Sequence, residues 1–199
     1  VLQRFNIIEN NPSDYSYIDD NENSDKNDMN LNALGLGNMK KGISLAQITS
    51  MYQTLANEGD FKDLTAIVKI EDNTGKVIID NRANHKNIIN KETAYLLKDA
   101  LKTNVEMGNA KGSKIDSATT YAYKGTNEFS SDFWLVGFSK KYTIGTWLGA
   151  DSPKISLNAD EDIITKIFNE LSSNINDDSK DEYRPSFIVE KNICNKSGK

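Results

Sequence analysis

Few residues in this chain are equipped for chemistry. It holds one His, His85, and one Cys, Cys194. A zinc centre takes three or four His, Cys or carboxylate ligands, and a Ser or Cys nucleophile is commonly activated by a neighbouring His. Two isolated residues supply neither arrangement. His85 lies in Asn-His-Lys-Asn and reads as a solvated loop residue. No Gly-rich phosphate loop is present. The acidic stretch near the N-terminus places Asp19, Asn21 and Asn23 at positions one, three and five of a calcium loop. Position six is then Ser24, where the turn needs Gly, and position twelve is Asn30, where a bidentate Glu belongs. We therefore read no metal site and no cofactor. Trp134 and Trp147 stand among aliphatic neighbours in strand-like runs and read as core.

Composition narrows the function further. The chain has 199 residues, enough for a single core. Only 37% are hydrophobic, a lean share for a globular domain. Lys and Arg total 24 against 29 Asp and Glu, a net charge of −5, which argues against nucleic acid as the main partner. One Cys excludes a disulfide framework within the chain. No apolar run approaches a membrane span, and Val1-Leu2-Gln3-Arg4 is no signal-peptide core, so no membrane contact by this chain is expected. The absent initial Met reads as a fragment.

The polar residues concentrate in two flanks. Residues 10–32 are acidic and Asn-rich and read as a long exposed loop. Residues 176–184, Asn-Asp-Asp-Ser-Lys-Asp-Glu-Tyr-Arg, read as a linker before Pro185 and the apolar Phe187, Ile188 and Val189. Three units follow: an N-terminal segment over 1–40, a folded unit over 41–175 and a linker over 176–199.

The folded unit is strongly patterned. Ile43, Leu45, Ile48, Met51, Tyr52, Leu55 and Ala56 make a helical stripe opening at Ser44 and closing at Gly59. Thr65–Ile70 and Lys76–Asp80 predict a hairpin through Asp72-Asn73-Thr74-Gly75. A helix is predicted over Lys91–Met107, with Ala94, Leu97, Ala100, Leu101 and Val105 on its buried face and Gly108 as its stop. Strands follow over Ala118–Lys124, Asp132–Ser139 and Tyr142–Gly149, then a helix over Asp160–Ile175. This order predicts an α+β fold, an antiparallel β-sheet with flanking helices.

The wording of these blocks resembles a known family. Leu34-Gly35-Leu36-Gly37, then Gly42-Ile43-Ser44-Leu45, then the run from Met51 to Gly59, is similar to "LALGG…GVSPLEMA.AYATFANGG" of penicillin-binding proteins. Ile70–Ile78 resembles the family's "I.D..GKVI" hairpin, and Glu92–Leu101 resembles "ETAYLM.D.L". Asp132–Ser139 and Tyr142–Pro153 resemble "D.WFVGYTP.YT.GVWVG.D.P". The tail Ile193–Lys199 resembles the segment leaving this domain in bifunctional class A members. The resemblance implies the β-lactamase/transpeptidase-like fold and a serine acyl transferase. Such an enzyme attacks D-Ala-D-Ala stem peptides of peptidoglycan, passes the acyl group to an amine of a neighbouring strand, and is acylated by β-lactams. It implies no cofactor, and a position on the extracytoplasmic face of the bacterial cytoplasmic membrane through an anchor outside this chain.

The family's machinery is S-x-x-K for nucleophile and base, S-x-N for a proton relay, and K-T-G on a strand bordering the cleft. No Ser here has a Lys three residues later. Ser172-Ser173-Asn174 fits S-x-N as a string but falls downstream of the K-T-G position, so we treat it as coincidence. Leu2–Ile7 resembles the segment that follows S-x-N in the family. The chain therefore resembles the C-terminal half of a transpeptidase domain, whose partner would be the N-terminal half, and it is expected to be inactive alone. Half of a domain would expose an apolar surface unless a partner chain covers it. The K-T-G position reads Ala122-Tyr123-Lys124-Gly125-Thr126-Asn127. Counting back from Trp134 without a gap places Tyr123 at the motif Lys; one deletion instead keeps Lys124 there, followed by Gly125 and Thr126. One residue of slip sends a strand side chain to the opposite face, so the two registers differ in whether an ammonium faces the substrate. By the resemblance, Lys124 is the candidate catalytic cation and Tyr123, Gly125 and Thr126 are candidate substrate-binding residues. Two functions stay open: a working cell-wall transpeptidase, or a non-catalytic module binding glycan strands or division partners.

Overall fold

A computed structural model describes residues 2–5, 35, 37, 42–81, 85–152, 154–181, 183–194 and 196–197. The acidic loop over 10–32, with its calcium-like residues, lies outside them. A 3-10 turn, Leu2–Phe5, precedes helix α1, Leu45–Ala56. Ser44 opens α1 with a capping box: its hydroxyl accepts the Gln47 N–H at 3.2 Å, and the Gln47 side-chain oxygen accepts the Ser44 N–H at 3.0 Å. The helix ends in a left-handed turn at Glu58 and Gly59, where the Gly59 N–H donates to the Thr54 carbonyl at 2.8 Å.

Two antiparallel ribbons come next. β1 (Asp60–Lys62) pairs with β4 (His85–Asn87), and β2 (Lys69–Glu71) pairs with β3 (Val77–Asp80). The β2–β3 turn is held by Asp72, whose carboxylate accepts the N–H groups of Thr74 at 2.8 Å and Lys76 at 3.0 Å. Helix α2, Lys91–Met107, has the predicted bounds, with Asn90 accepting the Thr93 N–H at its start. β5 (Tyr121–Thr126), β6 (Asp132–Phe138) and β7 (Thr143–Gly149) form an antiparallel sheet in that order, and helix α3 runs Asp162–Ser173. The α+β architecture read from the sequence is the observed one.

The core is built on one face of the sheet. Ala122 of β5 with Phe133 and Leu135 of β6 packs against Ile164 and Phe168 of α3, closed by Ala110 and Ile115. Gly137 admits the Phe168 ring, since a Cβ there would lie 2.7 Å from its Cζ. The other face receives α1: Tyr52 meets Phe138 edge-on at 6.3 Å, and a Cβ on Gly145 would lie 2.1 Å from Thr49 Oγ1. A second cluster, Phe5, Phe61 and Ile88, ties the first residues to the β1–β4 ribbon, with Phe5 and Phe61 edge to face at 5.5 Å.

Several local expectations need revision. His85 is exposed but on a strand, its Nδ1 at 2.7 Å from the Asp60 carboxylate. β2 begins at Lys69 rather than Thr65. β5 begins at Tyr121 rather than Ala118, because Asp116 takes a positive φ and the Ala118 N–H closes a turn onto Ile115. On α2, Leu97 is exposed, and Ala94 and Lys98 are the fully buried positions. Lys98 is buried because its ammonium meets the Asp181 carboxylate and lies 5.6 Å from the centroid of the Tyr121 ring. Trp147, read as core, is 48% exposed.

The polar stretch after α3 is docked over its first residues. Asp177 is fully buried; it accepts from the Ser139 hydroxyl and, at 2.8 Å, from the Ser179 N–H, with Lys141 Nζ at 3.7 Å. Burial pushes its pKa up, but those hydrogen bonds and the Lys141 charge outweigh burial and hold it below the ordinary Asp value. The Ser179 carbonyl accepts the Thr119 N–H at 3.0 Å, Lys180 donates to the Ser117 carbonyl, and Pro185 is buried.

Candidate functional site

The site can be built from the alternation of β5. Its pairing with β6 runs unbroken from Tyr121 opposite Phe138 to Thr126 opposite Phe133. No bulge interrupts it, so no residue is skipped. Ala122, Lys124 and Thr126 share the face of Phe133 and Leu135, which α3 covers. Tyr121, Tyr123 and Gly125 share the face of Trp134, Val136 and Phe138, which α1 covers in part.

Lys124 and Tyr123 are thus on opposite sides of the sheet. The Lys124 side chain is 14% exposed and its Nζ lies 3.6 Å from the Asp162 carboxylate, at the first residue of α3. Tyr123 is 50% exposed on the opposite face. Tyr52 of α1 lies on that face too: burial pushes its phenol up to about 12, with nearby Tyr123 adding to the shift. Tyr121 stacks on Phe138 at 5.0 Å, and its phenol is raised first by burial and then by Asp181. Both buried phenols are neutral hydrogen-bonding groups at pH 7.

The backbone of β5 is fixed from its open edge. Asn104 of α2 donates to the Ala122 carbonyl at 2.9 Å, and Asn109 donates to the Lys124 carbonyl at 2.5 Å while accepting the Lys124 N–H at 3.4 Å. These two side chains occupy backbone groups that an edge strand would otherwise present to solvent. Sequence reading singled out neither, because the helix-stop Gly108 between them carries the obvious signal. Beyond Thr126 the turn is knotted by Asn127 and Asp132. Asn127 donates to Ser131 Oγ at 2.6 Å and to Asp132 at 3.0 Å and accepts the Ser131 N–H at 2.9 Å, while the Trp147 indole donates to Asp132 at 2.9 Å. The Trp134 and Trp147 rings lie 5.9 Å apart. Tyr123, Gly125, Trp134 and Trp147 therefore share an aromatic sheet face that is open at Tyr123 and Trp147.

Ser172-Ser173-Asn174 ends α3 and is spent on it. The Ser172 hydroxyl lies 2.7 Å from the Lys114 carbonyl and 2.9 Å from that of Asn169; Ser173 and Asn174 both donate to the Glu170 carbonyl. A second such string, Ser156-Leu157-Asn158, lies in the loop before α3. A shallow cavity of about 200 Å³ between α1 and the β6–β7 turn is lined by Thr49, Gln53, Asn57, Lys140 and Tyr142, and no β5 residue borders it. Among the described residues no group of three or more His, Cys, Asp and Glu is placed to hold a metal ion, and no helix is long and apolar enough to cross a membrane.

The described residues thus form an antiparallel sheet with α3 closing one face and Lys124, Gly125 and Thr126 on its edge strand. Residues 1–173 match the family described as the penicillin binding protein transpeptidase domain, and the chain belongs to that family. It is 31% identical over 183 residues to penicillin-binding protein 1A of Clostridium tetani, covering 84% of this chain and 23% of that protein. It is 27% identical over 171 residues to penicillin-binding protein 1A of Clostridium acetobutylicum, covering 84% and 20%. The crystal structure of penicillin-binding protein 1A from Haemophilus influenzae shares the fold, with a TM-score of 0.65 at 19% identity over 78% of this chain and 30% of that one. Penicillin-binding protein A of Mycobacterium tuberculosis, solved as an imipenem acyl-enzyme complex, superposes with a TM-score of 0.52 at 12% identity over 66% of this chain. The chain thus spans about a fifth of the length of the curated relatives.

Proposed function

We propose that this chain is the C-terminal half of a D,D-transpeptidase domain and forms one wall of its acyl-transfer cleft. In the full-length protein the cleft would cross-link peptidoglycan stem peptides ending in D-Ala-D-Ala and be acylated by β-lactams. It would work outside the cytoplasmic membrane, on an anchor outside this chain. The nucleophile and its base come from the N-terminal half, because no Ser-x-x-Lys occurs in these residues. The cleft lies on the Tyr123 face, since α3 closes the opposite face. Gly125 keeps the strand backbone accessible on that face, while Thr126, the other candidate, shares the opposite face with Lys124 at the end of the strand. Lys124 is a contact to α3 in this reading and not the cleft cation.

The match of residues 1–173 to the transpeptidase family carries this reading; within it we take the ungapped register, with Tyr123 in the place of the motif Lys, and Lys124 on the opposite face 3.6 Å from Asp162. A neutral phenol cannot stabilise the anionic centre of acyl transfer as an ammonium does. A phenol in place of that ammonium favours instead a second reading, a non-catalytic module that retains the fold and binds cell-wall glycan or division partners.

Rebuilding the motif separates the two. Tyr123→Lys with Lys124→Thr restores K-T-G-T in the full-length protein. For a weakened enzyme, acylation by a fluorescent penicillin rises by roughly 10- to 100-fold, the scale of a single electrostatic stabiliser. If both the original and the rebuilt protein stay unlabelled, the enzyme reading is lost and the non-catalytic one stands.

A further inference from the structure

The segment after α3 makes polar contacts that converge on the start of the motif strand. Asp181 takes the Lys98 ammonium, which lies 5.6 Å from the centroid of the Tyr121 ring, the first side chain of β5 and two residues from Tyr123. Ser179 and Lys180 bond the backbone of Thr119 and Ser117, just ahead of β5. Asp177 anchors the other end on Ser139, past the end of β6 and therefore beside Tyr121, which pairs with Phe138.

We propose that residues 177–181 are a latch that sets the order of β5. The fasteners are carboxylates, ammonium groups, hydroxyls and backbone. Residues 176–184 carry no aliphatic side chain. Opening the latch therefore exposes little apolar surface, and it can release as a local unit while the core around Phe168 stays closed. Buried polar contacts of this kind are strong when complete and fail together when one partner is removed. What they hold is the strand carrying Tyr123, Gly125 and Thr126, so release loosens the cleft wall ahead of the core. This inference concerns the mechanics of β5 and stands whether or not the domain is catalytic.

Hydrogen exchange on the complete chain tests it. The Ala122 and Lys124 backbones point outward to Asn104 and Asn109, so the Tyr121 and Tyr123 amides point to β6 and report β5 pairing. In Asp181→Asn and Lys98→Met these two amides exchange at least about tenfold faster than in the unaltered chain, while amides over Ile164–Phe168 of α3 keep their rates. Asp177→Asn gives the same pattern; should that variant not fold, the other two decide. Free exchange at Ser179 with unchanged Tyr121 and Tyr123 shows that the segment packs without controlling β5 and overturns the proposal. So does an equal rise across α1, α3 and β5, which marks general destabilisation.

Discussion

Phe168→Ala is expected to lower the unfolding free energy by roughly 3–5 kcal/mol, read as a fall in the midpoint of urea denaturation at unchanged slope. Phe168 is fully buried, and its ring enters the notch that Gly137 leaves in β6. Truncation removes the ring and leaves a void bounded by Gly137, Ala122 and Leu135. Sheet backbone cannot collapse into that space, because β6 is paired on both sides. The loss should fall at the upper part of the range for that reason. An effect below about 1 kcal/mol contradicts this account of the core.

Gly59→Ala is the second large effect. Gly59 has φ +95°, a region where a side chain costs about 1–3 kcal/mol. A Cβ there would lie 2.0 Å from the Ile89 carbonyl oxygen, which is backbone. The carbonyl cannot easily retreat, since Ile88 N–H donates to the Gly59 carbonyl at 2.9 Å and the β1–β4 ribbon begins at the next residue. Strain and overlap together predict a loss of about 2–4 kcal/mol. Gly112 supplies the control: its φ is +86° but its Cβ position is open, so Gly112→Ala should show only the conformational part of about 1–3 kcal/mol and lose less than Gly59→Ala. Equal losses at the two sites would show that the contact with Ile89 does not matter.

What could be read from the sequence follows from how locally each feature is specified. The ends of α2 were legible to the residue, because a long helical run from Lys91 stops at Gly108. α1 was legible for the same reason through Ser44 and Gly59. The buried face of α2 was not, because Lys98 is buried only by virtue of Asp181, 83 positions away. Asp177 was equally hidden: an acid within Asn-Asp-Asp-Ser-Lys-Asp reads as solvated, and nothing local announces that Ser139 and Ser179 enclose it. Trp147 read as core because its neighbours are aliphatic, yet its burial depends on what stands over the far end of β7. The motif strand lay between these cases. Its position was legible from the surrounding blocks, but the string Tyr-Lys-Gly-Thr accepts two registers, and only pairing across to β6 fixes which side each residue takes. Asn104 and Asn109 act through backbone bonds to β5 that no periodicity reveals.

The central claim is that these residues supply a wall of an acyl-transfer cleft and not its nucleophile. Intact-mass spectrometry of the 199-residue chain and of the full-length protein, each incubated with benzylpenicillin, tests it most directly. Ring opening on a Ser releases nothing, so acylation adds the mass of one whole penicillin. The account predicts no adduct on the chain and one adduct on the full-length protein, mapped outside these 199 residues. A penicilloyl group on any Ser of this chain would contradict it.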